Sequence, residues 1–320
     1  MSPYLTMSLI SVPIDNIPCY VYHFYISFYF RYIEIMTYKV SNTLKRIIRP
    51  QSAILTLYGD YLLDREEEIG IGSLITLFNN FGLSAQAVRS AVSRMCQAGF
   101  LKVRSEGRKS YYSLTSRGHN LLSTGAQRIF VRKDTTWNGT WNIVTYTIPE
   151  EERKTRDTLR RELIWMGYGA LSGATMISPY DLTDEVMELA DQLNVLHRIH
   201  IFQAREQGVS DSKEIVSSCW DLVKIHDMYF EFVEKYQPRY EHWLERIEKN
   251  EDIEPGEYFL ERFLLIHEYR KLPFYDPDLP EELLPENWLR PKAALLFQEY
   301  HDLLTDKATE YFNSVMDAYS

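Results

Sequence analysis

Residues 72–118 read GSLITLFNNFGLSAQAVRSAVSRMCQAGFLKVRSEGRKSYYSLTSRG, and the fold follows from how this stretch is divided. Leu74, Ile75, Leu77 and Phe78 place an apolar stripe on a first short helix. Gly82 stops it, and Ser84 suits the N-cap of a second helix, where its hydroxyl can accept from a free first-turn N–H. Val88, Ala91, Val92 and Met95 recur at helical spacing until Gly99, the residue that reaches a left-handed C-cap at least cost. Leu101 and Val103 then alternate with Lys102 and Arg104, and Tyr112 and Leu114 with Tyr111 and Ser113. Ser105-Glu106-Gly107-Arg108 reads as the turn between them. The order helix, helix, hairpin predicts a winged helix-turn-helix.

On the second helix Gln86, Arg89, Ser90, Ser93 and Gln97 share the face opposite the apolar stripe, with Arg94 on its flank. Gln and Arg can make bidentate contacts with base edges, Ser can bond to either partner type, and Arg94 suits a phosphate. Arg104, Arg108 and Lys109 lie on or beside the hairpin tip, where a wing meets the backbone or the minor groove. These eight, Gln86, Arg89, Ser90, Ser93, Arg94, Arg104, Arg108 and Lys109, are the candidate contacts to double-stranded DNA. The alternative is a solvated polar face on a small helical unit.

Charge is distributed in the same sense. The 320 residues carry a net charge of −10, which taken alone argues against nucleic acid. Residues 43–133 nevertheless hold 14 Lys+Arg against 6 Asp+Glu, while residues 134–320 hold 19 against 37. A basic module on an acidic body fits one DNA-contacting unit whose remainder stays off the phosphates. Cys19, Cys96 and Cys219 are too few and too scattered for a disulfide framework or a zinc site, so a reducing cytoplasm is the expected setting.

Outward from the basic module, residues 1–42 form an N-terminal extension. Tyr20–Ile35 is apolar and aromatic but short for a membrane span, is interrupted by His23, Arg31 and Glu34, and lacks a preceding Lys or Arg of the kind a signal peptide carries. Met36 is a candidate true start. Ile47–Leu63 reads as the first helix of the winged domain, Ile69 and Ile71 as a short strand, and Leu121, Leu122 and Ile129 as a helix leading out, so the domain spans 43–133.

Trp141–Ile148 is strand-like. Pro149 opens a helix with Leu159, Leu163 and Met166 on its apolar line, Ala170–Ile177 makes two short strands, Asp184–Leu193 a helix and Arg198–Ala204 a last strand. The order βαββαβ predicts a ferredoxin-like domain over 134–208. Arg153, Arg156 and Arg160 share one helix face, read as solvated through Glu152–Arg156 and Asp157–Arg161 pairs, the alternative being an anion site. From 209 to 320 the period is helical, with Ile215, Cys219, Leu222, His226, Tyr229, Phe232 and Tyr236 in steps of three or four. Tyr258–Tyr269 and Leu295–Tyr319 are further helices, separated by a loop with prolines at 273, 277, 280 and 285. The fold class is therefore α+β: a winged helix-turn-helix, a ferredoxin-like domain and an α-helical C-terminal domain.

The stretches 72–118, 141–179 and 267–304 together resemble the PaaX family, repressors of phenylacetic acid catabolism. HEYRKLPFYDPDLPEELLPENW at 267–288, followed by LFQEYH at 296–301, is the most specific part, and the similarity extends over residues 43–316. The resemblance implies a bacterial operon repressor that binds operator DNA as a homodimer and releases it on binding phenylacetyl-coenzyme A.

No metal site, cofactor or catalytic motif stands out. His197 and His200 would face opposite sides of a strand, and Asp276-Pro-Asp278 sits in a proline-rigid loop. Trp220, Tyr229, His267, Arg270 and Trp288 are a speculative effector-binding set, cations for phosphate beside an apolar slot for a ring, the alternative being an aromatic core with a buried His–Arg contact. Two other functions remain open at this level: a nucleic-acid-binding or processing protein using the ferredoxin-like domain, and an acyl-thioester enzyme with an accessory DNA-binding domain.

Overall fold

Helix α1, Pro50–Leu57, begins on a proline whose missing N–H costs nothing in a first turn, and it widens into a π-helical turn over Tyr58–Leu62. It is the first element of a computed structural model of the chain that describes residues 48–65, 67–130, 136–208 and 211–319. The extension and Met36 lie outside the described residues. Strand β1, Ile69–Gly70, is followed at once by α2, Ile71–Asn79, so Ile71 is helical rather than the end of a strand. Helix α3, Ala85–Gln97, starts from Ser84, whose hydroxyl accepts from Ala87 N at 3.2 Å. It ends at Gly99 with φ +74°, where Phe100 N donates to Met95 O, the closing bond of a Schellman cap.

Strands β2, Leu101–Glu106, and β3, Lys109–Leu114, pair from Leu101↔Leu114 out to Glu106↔Lys109, in a three-stranded antiparallel sheet of order β1-β3-β2. The turn is only Gly107-Arg108, shorter than the four residues expected, with Gly107 at φ +59° in the first central position that hairpin twist favours for glycine. Val103 is exposed although Leu101 is buried: the alternation is intact, but the hairpin runs beyond the helices that would cover it. Helix α4, Ser116–Phe130, leads out. A Cβ on Gly118 would come within 2.2 Å of Phe100 O, so only glycine lets α4 start this close to the end of α3.

The middle of the chain is β4, Trp141–Tyr146; α5, Arg153–Trp165; β5, Gly169–Ser172; β6, Thr175–Ser178; α6, Thr183–Gln192; and β7, Ile199–Ala204. The four strands form one antiparallel sheet of order β5-β6-β4-β7. Val144, Tyr146 and Met176 meet Leu159, Leu163, Val186 and Ala190 of the two helices on one face. On the arginine-rich face of α5 the pairs differ from those expected. Glu150–Glu152 is a 3-10 turn, which takes Glu152 off the α-helical i,i+4 spacing; Arg156 binds Glu150, Arg153 reaches Asp157, and Glu152 goes to Arg198.

The rest is helical: α7, Ser212–Cys219; α8, Leu222–Glu248; α9, Pro255–Tyr269; the short α10, Leu272–Tyr275; and α11, Arg290–Asp317. The periodic run 215–236 breaks at Trp220, because Asp221 caps a new helix by accepting from Lys224 N. No described helix is long and apolar enough to cross a membrane.

The core does not respect chain order. Phe259 and Phe263 of α9 and Phe312 of α11 are fully buried among Leu74, Leu77, Phe78, Phe81 and Met95 of the N-terminal helices. The Phe81 and Phe263 rings lie 4.3 Å apart and Tyr61 stacks on Phe312 at 4.6 Å. The first and last segments thus share one hydrophobic core. A second core joins Trp141 and Ile177 of the middle sheet to α7, α8, α9 and α11.

Truncating Phe263 to Ala should cost about 3–5 kcal/mol, as for other buried phenylalanines. All six tryptophans lie in 137–288, so their fluorescence reports only on the acidic part. Urea titrations of Phe263→Ala followed by that fluorescence, and by hydrogen exchange of α2 and α3, should show both regions losing stability together.

Candidate nucleic-acid interface

Helix α3 buries Val88, Ala91, Val92 and Met95 against α1 and α2, which leaves its other face to solvent. Gln86, Arg89, Ser93, Arg94 and Gln97 are exposed there and Ser90 is half-buried. The apolar spacing sets this orientation, so these side chains form one polar strip along the helix. The side chains of Arg89 and Arg94 have no hydrogen-bond or ion-pair partner among the described residues.

The hairpin carries Arg104, Arg108 and Lys109, all exposed. They are not equivalent. Arg104 donates from Nε to Glu68 at 2.6 Å and from Nη1 to Glu106 at 2.8 Å, and lies 4.6 Å over the Tyr111 ring. The two carboxylate hydrogen bonds push its already high pKa up, so it is a permanent cation whose charge is locally cancelled. Arg108, in the turn itself, has no such partner among the described residues. A free guanidinium at the tip can turn to a phosphate without breaking an ion pair; Arg104 cannot.

Two residues that sequence reading missed hold this surface in place. Arg117 donates to Ala98 O at 3.2 Å and lies 4.8 Å over the Phe100 ring, closing the C-terminal end of α3. Thr115 donates to Gly99 O at 2.6 Å. A basic residue just beyond the hairpin was the only sequence signal for the first.

The five effector candidates are not brought to one place. His267 and Arg270 point from α9 into α1: His267 Nδ1 is hydrogen-bonded to Thr56 Oγ1 at 2.7 Å, with its ring stacked on Phe263, and Arg270 donates to Ser52. Tyr229 donates to Asp276 Oδ2 at 2.7 Å, and its ring lies edge-on to Trp288 at 6.1 Å. Trp220 packs on β5, where a Cβ on Gly169 would lie 2.6 Å from its ring. Of the five, only Tyr229 borders a cavity of about 520 Å3, whose other walls include α4, the end of α5, Tyr269, the 273–278 loop and α11. That wall is assembled from segments more than a hundred residues apart, so no local pattern announces it. His197 and His200 hold no metal-like cluster with other residues among those described.

Further contacts between the halves are buried and charged. Arg262 Nη2 and His301 Nε2 both lie against Asp60 Oδ1, at 2.9 and 3.0 Å, with the Arg262 guanidinium 4.8 Å over Tyr61. Burial would raise the Asp60 carboxyl; the His301 hydrogen bond and the Arg262 charge outweigh it and hold the group below the usual carboxylate range.

Comparison with known proteins covers the chain in three pieces. A family model described as "PaaX-like protein" matches residues 49–118, one described as "PaaX protein central Cas2-like domain" matches 134–216, and one described as "PaaX-like protein C-terminal domain" matches 220–314. The chain is 32% identical over 241 residues to a protein of Escherichia coli strain K12 named "Transcriptional repressor PaaX", covering 74% of each chain. In structure it is similar to an uncharacterized protein from Mycobacterium tuberculosis, with a TM-score of 0.54 at 21% identity over 83% of this chain and 99% of that one, a likeness of fold.

Burial depresses the His267 imidazole from its ordinary 6.5 to about 3, helped by the charges of Arg270 and Lys271. The folded chain therefore refuses a proton that the unfolded chain takes up between those values. Stability from this group is complete above about 6.5 and is lost as pH falls toward 3, by about 1.4 kcal/mol per unit. Urea unfolding at pH 7.5 and 5.0 should differ by about 2 kcal/mol from this residue. In His267→Gln that part of the pH slope should vanish.

Proposed function

The chain belongs to the PaaX family, and from that premise we propose that it is a DNA-binding transcriptional repressor of a phenylacetate-type aromatic catabolic operon, a regulator rather than an enzyme. It acts in the cytoplasm as a homodimer. The N-terminal segment, residues 43–133, works as a winged helix-turn-helix with α3 in the major groove and the β2–β3 hairpin as its wing. The middle segment, 134–208, is a ferredoxin-like domain, and 209–320 is the helical domain that completes the N-terminal core. The observation that carries this reading is the strip on α3: Arg89 and Arg94 are exposed, have no side-chain partner among the described residues and are aligned with Gln86, Ser90 and Ser93, on the one part of the chain with an excess of positive charge. One such module buries little surface for tight, specific binding, which is the physical argument for two copies on a two-fold symmetric site.

The effector in this reading is phenylacetyl-coenzyme A. To release the operator it must bind the DNA-free conformation more tightly than the DNA-bound one, and operator DNA must then weaken effector binding by the same factor. A coupling of about 1–3 kcal/mol is ordinary for such a switch.

The three wing and helix arginines should separate by role. On duplexes selected from genomic DNA by the full chain, Arg89→Ala should lose about 1–3 kcal/mol of specific binding and relax the preference at one base pair. Arg108→Ala should weaken all sequences alike and reduce the salt slope by about 1. Arg104→Ala should do less than either, since its charge is already held by Glu68 and Glu106. Fluorescence anisotropy across a salt series checks all three; an Arg89→Ala variant with unchanged affinity and base preference would mean that α3 does not read the sequence. Sedimentation should find a dimer on DNA.

A further inference from the structure

The far end of the chain returns to the candidate DNA surface. Helix α2 buries Leu74, Leu77 and Phe78 in the core, while Gly72, Thr76 and Asn80 fall on a second row at four-residue spacing. In and just beyond its last two turns α11 presents a matching row: Tyr311, Val315 and Tyr319, also four apart. The two rows meet antiparallel. Asn80 donates to the Tyr311 hydroxyl at 3.1 Å, Thr76 donates to the Tyr319 hydroxyl at 3.0 Å, and Val315 is buried in the shared core. A Cβ on Gly72 would lie 2.5 Å from Tyr319 Cδ1, so the ring occupies the space that any other residue at 72 would claim.

The same segment reaches the wing. The Tyr319 carbonyl oxygen lies 3.6 Å from where a Cβ on Gly70 would sit. Gly70 is the N-cap of α2 and, in β1, pairs with Tyr111 of β3, over whose ring the Arg104 guanidinium lies. Nearby, Arg65 donates to Asn313 Oδ1 at 2.8 Å. One end of the chain therefore touches both supports of the surface: α2, against which α3 packs, and the strand beside the hairpin. Tyr319 nevertheless stays 44% exposed. A ring left this far in solvent, and held by one hydroxyl bond and one glycine, contributes orientation more than burial.

We propose that Tyr319 is a positioning residue for DNA recognition: it fixes the seat of α2 and β1, and with them the placement of α3 relative to the wing. The proposal rests on the repressor reading. Sequence-specific contacts need α3 and the wing in place together, whereas non-specific binding needs only the summed positive charge, which Tyr319 does not alter. Loosening this brace costs the specific complex and spares the non-specific one.

Fluorescence anisotropy of the full chain tests this on a duplex it selects from genomic DNA and on a scrambled duplex of equal length and composition. Tyr319→Ala should weaken binding to the selected duplex about tenfold or more, the loss expected from one misaligned base contact, and leave the scrambled duplex unchanged. Tyr319→Phe keeps the ring and loses only the Thr76 bond, so it should fall between Tyr319→Ala and the parent. Gly72→Ala should displace the ring and also weaken specific binding. In a chain that already carries Tyr319→Ala it should add nothing, because the collision is then gone. Thermal melting sets a temperature at which every variant is folded, and the midpoint of Tyr319→Ala should match the parent. Unchanged specific affinity in Tyr319→Ala, additive losses in the double variant, or equal losses on both duplexes would each overturn the proposal while the repressor reading stands. If the parent selects no duplex, the repressor reading fails and the positioning role fails with it.

Discussion

The chain is held together by a few aromatic side chains of α9 and α11 that sit inside the N-terminal module. Phe259, Phe263 and Phe312 fill the space that α1, α2 and α3 leave open, and they are as buried as any residue of those helices. A three-helix unit with a short sheet has little interior of its own, and small units of this kind bury a smaller fraction of their surface. Borrowing rings from the last helices supplies the missing apolar area. The consequence is mechanical as well as energetic. The N-terminal helices cannot shift without moving α9 and α11, because close-packed interiors transmit displacement rather than absorb it.

Around that core lies a ring of buried polar contacts between the same two parts: Asp60 with Arg262 and His301, Thr56 with His267, Ser52 with Arg270. Buried charges are poor sources of net stability, because desolvation offsets the attraction. Their effect is to make one docking angle better than its neighbours, since a small slip would leave a carboxylate or guanidinium unpaired in the interior. The π-helical turn at Tyr58–Leu62 is where Asp60 and Tyr61 enter this arrangement. An irregular turn here is consistent with a helix shaped by its partners rather than by its own propensity.

Charge has a different distribution from apolar area. Among the described residues Arg89 and Arg94 of α3 and Arg108 at the hairpin tip are exposed with no side-chain partner, whereas those of α5 are tied to Glu150, Asp157 and the Gly173 carbonyl. Arginine content alone would have ranked the two faces alike. What separates them is whether neighbouring carboxylates have already neutralised the charge, and Arg104 shows both situations within one strand pair.

The helix-helix-hairpin order, the Ser84 and Gly99 caps and the polar strip of α3 were legible from residues 72–118, because each rests on short-range spacing that any helix or strand imposes. The βαββαβ order and the long C-terminal helices were legible for the same reason, and the stretch 267–301 carried the family resemblance. Element edges at Ile71 and Trp220 were misplaced where a cap or a tight junction overrode periodicity. Tertiary structure alone decided the rest. His267 and Arg270, which read either as ligand-facing groups or as a buried polar pair in an aromatic core, are turned to Thr56 and Ser52 more than two hundred residues away. Arg128, Trp165, Tyr269 and Arg290 meet at one cavity although nothing in their local sequence relates them. Local patterns specify which face of an element is apolar, and packing between elements decides which face it finds; that choice depends on shapes that no single segment contains.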